Sequence, residues 1–503
     1  MENLDWIAKW ARLKPDHLAL TDLETYESFS YKKLHYMAEA TVAFLKGKIK
    51  EGDRVAVLME TSSYLITLFS ACQRVGAILV PLNYRLSREE IEHQLNDAQP
   101  SLVIYSDQFL DLVALLKDHY STMKLIDLKD QVHKLVDYRI PIEPYPIDEK
   151  TPLFLFYTTG TTAMPKGVVY TNGMLFWNSL NTSMQLGITG EDCTVNILPP
   201  YHTSGWNIFL TPLLHNGGRI ALMNKIEPDK VLYHLEKQRA TLFLALPTIL
   251  QRLSQSEGFE KANLTSLRYI VSGGEALSAQ QMELWKKRKG AFLRPGYGLT
   301  EAGPSITSLH QDDVIRKPGS IGKPNFYLDL KIVDTEGKTL DADQVGELCI
   351  KGEVVTPGYW NNSVATKDKI KGGWLHTGDL AVRDSEGYYY LKGRRDDMYI
   401  SGGENIFPQE IEAVLSRHPK IHKVVVLPFE DLRWGQKGVA FIKSEVPIER
   451  EEIENFMKDQ LAKFKQPKEF VFLEEFPVTG FGKISRPELK RLYHRISKKE
   501  KLN

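Results

Sequence analysis

The sequence predicts an α/β fold in which a large N-terminal region carries several sheets and a small α+β domain closes the chain. Apolar strand-like runs alternate with helix-period segments through the N-terminal region, the pattern of parallel sheets covered by helices. The pattern changes after GYYYLKGRRDD, where shorter elements follow in a different order. The 503 residues, 42% hydrophobic and 25% charged, supply apolar material for more than one core.

Near the start, DRVAVLM reads as a buried strand, SYLITLFSACQRV as a helix and AILVPL as a second strand, with Gly76 placed to end the helix. Ser87 and Glu90 have capping-box spacing for the helix EEIEHQL, and Pro100 precedes the apolar run SLVIY. ATLFLALPTILQRL and LRYIVSGGEALSAQQMELW repeat the alternation without a short-period repeat. Beyond a boundary near Arg395–Asp396 come helix EIEAVLSRH, strands KVVVLP and GVAFIK, helix EREEIENFMKDQL and strand EFVFLEE. The expected domains are therefore residues 1–395 and 396–503.

Lysine plus arginine number 64 and aspartate plus glutamate 64, so no global basic field favours nucleic acid. Cys72, Cys193 and Cys349 are far apart and lack the paired spacing of a zinc site or disulfide framework, which suits a reducing compartment. No stretch has the apolar length of a membrane span, and MENLDWIAKWARLKPD lacks a secretory apolar region. These features predict a cytoplasmic protein without stable membrane insertion, its KKEKLN tail solvated. Monomer and homodimer both stay open.

The first chemical signal is LFLFYTTGTTAMPKGVVYTN, an apolar strand running into Thr158, Thr159, Gly160, Thr161 and Thr162, then Lys166. Glycine permits close backbone approach, hydroxyls and backbone N–H groups donate hydrogen bonds, and an ammonium offsets phosphate charge. It is not a Walker A loop, because Lys166 precedes Gly167 and the strand-like VVY follows, which predicts a hairpin. Alone, the segment has a second and weaker reading as a threonine- and glycine-rich surface turn.

It does not stand alone. YTTGTTAMPKG, SGGEAL, YGLTE, WLHTGDL, GRRDDMYISGGENIFPQEIE and TGFGKI follow one another along nearly the whole chain. In that order they resemble the adenylate-forming superfamily of acyl-CoA synthetases, aryl-CoA ligases, luciferases and peptide-synthetase adenylation domains. Ala163 stands at a commonly glycine position, and Thr159 replaces a common serine while keeping the hydroxyl.

The resemblance implies that residues 1–395 bind AMP and the acyl group and that residues 396–503 form a mobile domain. It places Tyr297 and Gly298 near adenine, Thr300 on phosphate and Glu301 on Mg²⁺, with Gly273, Gly274 and Glu275 in the adenine segment. Asp379 would accept from the ribose hydroxyls and Arg394 would donate to ribose or phosphate. Lys483 matches the lysine that bridges carboxylate and phosphate, and Asp396 the hinge. Gly402, Gly403 and Trp434 would flank pantetheine. His202 would border the substrate carboxylate, with Trp206 and Phe209 as apolar walls, although a structural histidine and core aromatics are equal readings of those residues.

The expected activity is an ATP- and Mg²⁺-dependent acyl-CoA synthetase that forms an acyl adenylate and then a thioester with CoA. A medium- or long-chain fatty acid is the first choice of substrate and an aromatic acid the second. An adenylate ligase that loads a separate carrier protein, a luciferase-like oxidase and a nonenzymatic ATP-binding protein are the alternatives.

Overall fold

The computed structural model describes residues 4–500 except 115–120, 138, 159–164, 275–276, 402–403, 432, 445, 459 and 479–483. Contacts divide the chain into two compact units. The first runs to Leu330 and includes Ile350–Leu375; the second comprises Lys331–Cys349 and the chain from His376 onward.

Two mainly parallel sheets organise the first unit. One has six strands in the order Thr122–Lys124, Leu102–Tyr105, Arg54–Leu58, Ile78–Pro81, Pro152–Thr158 and Lys166–Thr171, with only the last pair antiparallel. The other has nine. Its parallel centre runs through Phe292–Tyr297, Tyr269–Ser272, Leu242–Leu244, Cys193–Asn196, Arg219–Leu222 and Leu18–Asp22, and antiparallel strands extend both edges. The near-continuous burial of Ile78–Pro81, Leu102–Tyr105 and Tyr269–Ser272 is what helices on both faces of a parallel sheet require.

Local signals act where the sequence puts them. The helix Ser63–Val75 ends at Gly76, whose φ of 70° is the left-handed C-cap conformation that a side chain disfavours. The helix Arg88–Ala98 opens on a complete capping box: Ser87 Oγ accepts from the Glu90 N–H, and Glu90 Oε2 accepts from the Ser87 N–H at 2.9 Å. The predicted hairpin is present, pairing Thr158 with Lys166 and Tyr157 with Gly167.

In the second unit, strands Glu404–Ile406, Tyr399–Ser401, Gly435–Ser444, Ile421–Asp431 and Glu469–Phe472 share one sheet. Side-chain alternation divides its apolar residues between two cores. Val424, Val426, Ala440 and Ile442 pack with Ile411 and Val414 of helix Pro408–Leu415 and with Ile453 and Met457 of helix Arg450–Lys458. Val425, Leu427, Val439 and Phe441 pack instead with Leu489 and Tyr493 of helix Arg486–Glu500. Strands Gly346–Lys351, Trp374–Arg383 and Tyr389–Arg394 belong to a separate five-stranded sheet. Among the described residues, no helix is long and apolar enough to cross a membrane.

Candidate active site

The helix Arg88–Ala98 buttresses the hairpin that carries Thr158 and Lys166. The Tyr157 hydroxyl donates to Asp97 Oδ2 at 2.8 Å, and His93 Nε2 lies 3.1 Å from the Pro165 carbonyl. Burial, with the Asp97 carboxylate adding to it, raises the Tyr157 pKa, so the phenol keeps its donor proton. Thr159, Gly160, Thr161 and Thr162, between the two strands, lie outside the described residues, as do Glu275, Gly402, Gly403 and Lys483.

The segment Thr356–Trp360 clamps the second hairpin strand. The Val169 N–H donates to the Gly358 carbonyl at 3.1 Å, the Trp360 N–H to the Gly167 carbonyl at 2.7 Å, and Thr356 Oγ1 to the Val169 carbonyl at 2.6 Å. The same segment holds the YGLTE turn: the Thr356 N–H donates to the Glu301 carbonyl at 2.8 Å, and the Tyr359 hydroxyl to Glu301 Oε1 at 2.8 Å. Lys166 Nζ sits over the Tyr359 ring, 5.5 Å from its centroid. One tyrosine thus links the expected phosphate lysine to the expected metal carboxylate. Among the described residues Glu301 Oε2 makes no hydrogen bond, which leaves one carboxylate oxygen for a ligand.

Thr300 and Glu301 begin a short 3₁₀ turn that follows the strand ending at Tyr297. Gly298 between them cannot carry a side chain in this backbone, because a Cβ would fall 1.7 Å from the Pro304 carbonyl oxygen. Gly273 abuts the neighbouring strand, where a Cβ would lie 2.9 Å from the Gly296 carbonyl oxygen. Gly274 has φ 82°, the left-handed region that glycine tolerates. Parallel pairing of Tyr269–Ser272 with Phe292–Tyr297 therefore brings the starts of SGGEAL and YGLTE close together.

In the second unit, Asp379 and Arg394 are direct cross-strand partners, and Arg394 Nε lies 2.7 Å from Asp379 Oδ1. The Asp379 N–H donates to Thr377 Oγ1 at 3.0 Å, which orients the strand at this carboxylate. Glu347 braces the preceding turn: its Oε1 accepts from the Gly378 N–H at 2.9 Å, and His376 Nδ1 lies 3.0 Å from its Oε2. Arg394 is half exposed while Asp379 is buried, so the guanidinium reaches outward and the carboxylate stays fixed. Asp396 lies in the 3₁₀ turn Arg395–Asp397; its side chain is outside the description. The Trp434 ring is flanked by the Arg433 guanidinium at 4.9 Å and Lys468 Nζ at 5.3 Å.

The acyl-pocket residues divide by burial. His202 precedes the helix Thr203–Asn207, and its ring meets Tyr201 edge-on with centroids 4.7 Å apart. Trp206 is only 1% exposed; its indole N–H donates to the Pro200 carbonyl at 2.8 Å, and its ring packs on Phe69 and Phe154. Phe209 is also buried in that core. Tyr359, Thr356 and Glu347 are absent from the sequence-based set. TPGYW reads in sequence only as a proline- and glycine-containing loop, and that polar and aromatic loop is the one signal that could have marked Tyr359.

The AMP-binding enzyme family matches residues 7–360, and the AMP-binding enzyme C-terminal domain matches residues 410–483. A feruloyl-CoA synthase of Amycolatopsis sp is 32% identical over 495 residues, covering 97% of this chain and 98% of that protein. A 2-succinylbenzoate–CoA ligase of Bacillus cereus (strain ATCC 10987 / NRS 248) is 34% identical over 494 residues, covering 98% and 99%. The o-succinylbenzoate CoA synthetase of Bacillus subtilis, solved in complex with its acyl-adenylate intermediate, superposes with a TM-score of 0.88 at 30% identity over 97% of this chain and 98% of that one. On these matches the chain belongs to the AMP-binding enzyme family and, within it, to the adenylate-forming CoA ligases.

Proposed function

We propose that this protein is an AMP-forming ligase that joins an aromatic carboxylic acid to coenzyme A through an acyl adenylate. The observation that carries the reading is the clamp in which Tyr359 links Lys166 to Glu301. It sets a cation and a half-free carboxylate at the exits of two motifs expected to meet triphosphate.

In the first half-reaction an oxygen of the substrate carboxylate bonds to the ATP α-phosphorus, the bond from that phosphorus to the bridging β-oxygen breaks, and pyrophosphate leaves. A carboxylate is already a nucleophile, so alignment and charge stabilisation supply the catalysis. Lys166 and the threonines of its loop bind phosphate oxygens, Thr300 donates to them, and Lys483 bridges carboxylate and α-phosphate. The ribose hydroxyls donate to Asp379, and Arg394 donates to ribose or phosphate. Among the described residues no cluster of three metal-binding side chains occurs, which fits Mg²⁺ held by Glu301 together with substrate phosphates and water. Bound there, Mg²⁺ would offset the phosphate charge.

In the second half-reaction the CoA sulfur bonds to the acyl carbon, the acyl–phosphate bond breaks, AMP leaves and the thiol proton passes to solvent. Rotation at Asp396 withdraws Lys483 and brings Gly402, Gly403 and Trp434 to pantetheine, so the functional boundary falls between residues 395 and 396. The curated relatives are named for feruloyl and 2-succinylbenzoyl acids, which favours an aryl acid over the fatty acid first expected. Committing the Trp206 ring to the core removes one expected wall for a chain and for a ring alike.

A panel of aromatic and straight-chain acids with ATP, Mg²⁺ and CoA, read for AMP and acyl-CoA together, tests the proposal. Highest kcat/KM for aryl acids is the expected result. A straight-chain optimum would restore the fatty-acid reading, and adenylate without thioester would point to a carrier protein.

A further inference from the structure

A cleft of about 510 Å³ in the first unit is lined by Gln185, Arg268, Tyr269, Arg294, His310 and Gln311 among others, none of them a candidate active-site residue. Two guanidiniums flank one phenol there: Arg294 lies 4.8 Å and Arg268 5.4 Å from the Tyr269 ring centroid. Of the two, only Arg268 is hydrogen-bonded to a carboxylate among the described residues. Arg268 Nη1 donates to both oxygens of Asp192, at 2.7 and 2.8 Å, and its Nη2 to the Gly187 carbonyl.

Arg294 is 3% exposed, and its hydrogen bonds among the described residues go to backbone carbonyls. Its Nε donates to the Leu309 carbonyl at 3.2 Å and its Nη2 to the Gln185 carbonyl at 3.3 Å. Among the described residues its Nη1 has no hydrogen-bond partner. The carboxylate that acts on it, Asp312, is exposed and sits 3.3 Å from His310 Nδ1. Burial is the main cause that pulls the Arg294 pKa below its usual value and Arg268 adds to it, while Tyr269 and Asp312 offset only part of the shift. A buried guanidinium whose opposing carboxylate lies at the surface is only partly compensated, and an anion in the adjoining space would lower that cost.

We propose that this cleft is a binding site for a small oxyanion, a phosphate or carboxylate group received by Arg294 Nη1, with His310 and Gln311 at its open side. The site is separate from the candidate nucleotide residues. Tyr269 begins its strand, whereas Gly273 and Gly274 follow the end of that same strand. The enzyme's proposed chemistry handles both kinds of oxyanion, as pyrophosphate and AMP on one side and the organic acid on the other.

The test uses the full chain with its histidines labelled at ¹³Cε1, and the His310 resonance assigned with His310→Gln. Inorganic phosphate, pyrophosphate, AMP and acetate are each titrated against sodium chloride at matched ionic strength. A saturable shift of the His310 resonance is expected from at least one of them. Response to the phosphates alone identifies a phosphoryl ligand, and response to acetate alone a carboxylate. Arg294→Lys, which keeps a cation but removes Nη1, should weaken that binding about tenfold, and Arg294→Gln at least as much. If Arg294→Gln does not fold, Arg294→Lys and the unmodified protein still decide the matter. Absence of a saturable shift from all four anions, or unchanged affinity in folded Arg294→Lys, overturns the proposal. The readout needs no ligase turnover, so its failure is separate from failure of the proposed function.

Discussion

The Tyr359 hydroxyl donates to Glu301 Oε1 at 2.8 Å, while Lys166 Nζ lies over the same tyrosine ring. A residue from a loop thereby fixes the direction of a carboxylate nearly sixty positions earlier in the chain, and Oε2 accepts no hydrogen bond among the described residues.

Tyr359→Phe removes this bond and keeps the ring. A hydrogen bond to a charged group contributes about 1.5–3 kcal/mol, which corresponds to roughly tenfold or more in rate when the oriented carboxylate is needed. Pyrophosphate release should fall by that order, with a higher Mg²⁺ requirement and an almost unchanged Tm. Wild-type rates and Mg²⁺ dependence would show that Glu301 needs no such orientation.

Asp379 and Arg394 face each other across an antiparallel pair, with the guanidinium half exposed. A pair of that exposure stabilises a fold by about 1 kcal/mol or less. Asp379→Ala should therefore lower Tm slightly while weakening ATP binding at least about tenfold through loss of the ribose acceptor. Calorimetric titration with ATP and a thermal melt of the variant measure the two effects. Equal ATP affinity in Asp379→Ala would remove this carboxylate from the nucleotide site.

Gly298→Ala places a methyl group 1.7 Å from the Pro304 carbonyl oxygen, which no side-chain rotation can relieve. The turn must move, so activity should be lost and Tm should drop, at a cost of about 3 kcal/mol or more. A variant with normal Tm and normal pyrophosphate release would mean that the turn shifts freely.

Trp206→Ala empties a site in contact with Phe69 and Phe154 and removes the donor to Pro200. Truncations of this size cost about 3–5 kcal/mol. Activity should decline by a similar factor for every acid tested, tracking the folded fraction in thermal melts. A changed ranking of acids at unchanged stability would instead make Trp206 an acyl wall.

Two buried histidines set an acid limit. Burial, with Arg74 adding to it, lowers the His35 pKa to about 4, and burial lowers His215, stacked on Trp6, to about 4 from the usual 6.5. Both fold neutral, so as pH falls below 6.5 the unfolded chain gains protons that the native state refuses. Their stabilising effect is complete above 6.5 and is lost as pH falls toward 4. Urea unfolding across that window should show a slope approaching two protons, and His215→Phe should reduce it by one. A flat stability profile from pH 6.5 to 4 contradicts this.

Much of the architecture is set by local rules. The helix Ser63–Val75 with its Gly76 cap, the capping box at Ser87 and the hairpin joining Thr158 to Lys166 follow from side-chain period, cap chemistry and glycine placement within a few residues. The family motifs are likewise contiguous, so Glu301, Asp379 and Arg394 could be singled out in linear order. What the line of residues does not contain is which loop closes on which motif. Tyr359 reaches Glu301 because the loop Thr356–Trp360 pairs with the hairpin strand, and that pairing is stabilised by contacts far apart in sequence. Asp379 meets Arg394 only through strand register, Trp206 loses its place as an evident pocket wall through core packing, and Arg268 takes the Asp192 carboxylate while Arg294 bonds to backbone carbonyls. Each is a competition among distant groups for the same space or counter-charge, and local sequence does not encode the outcome.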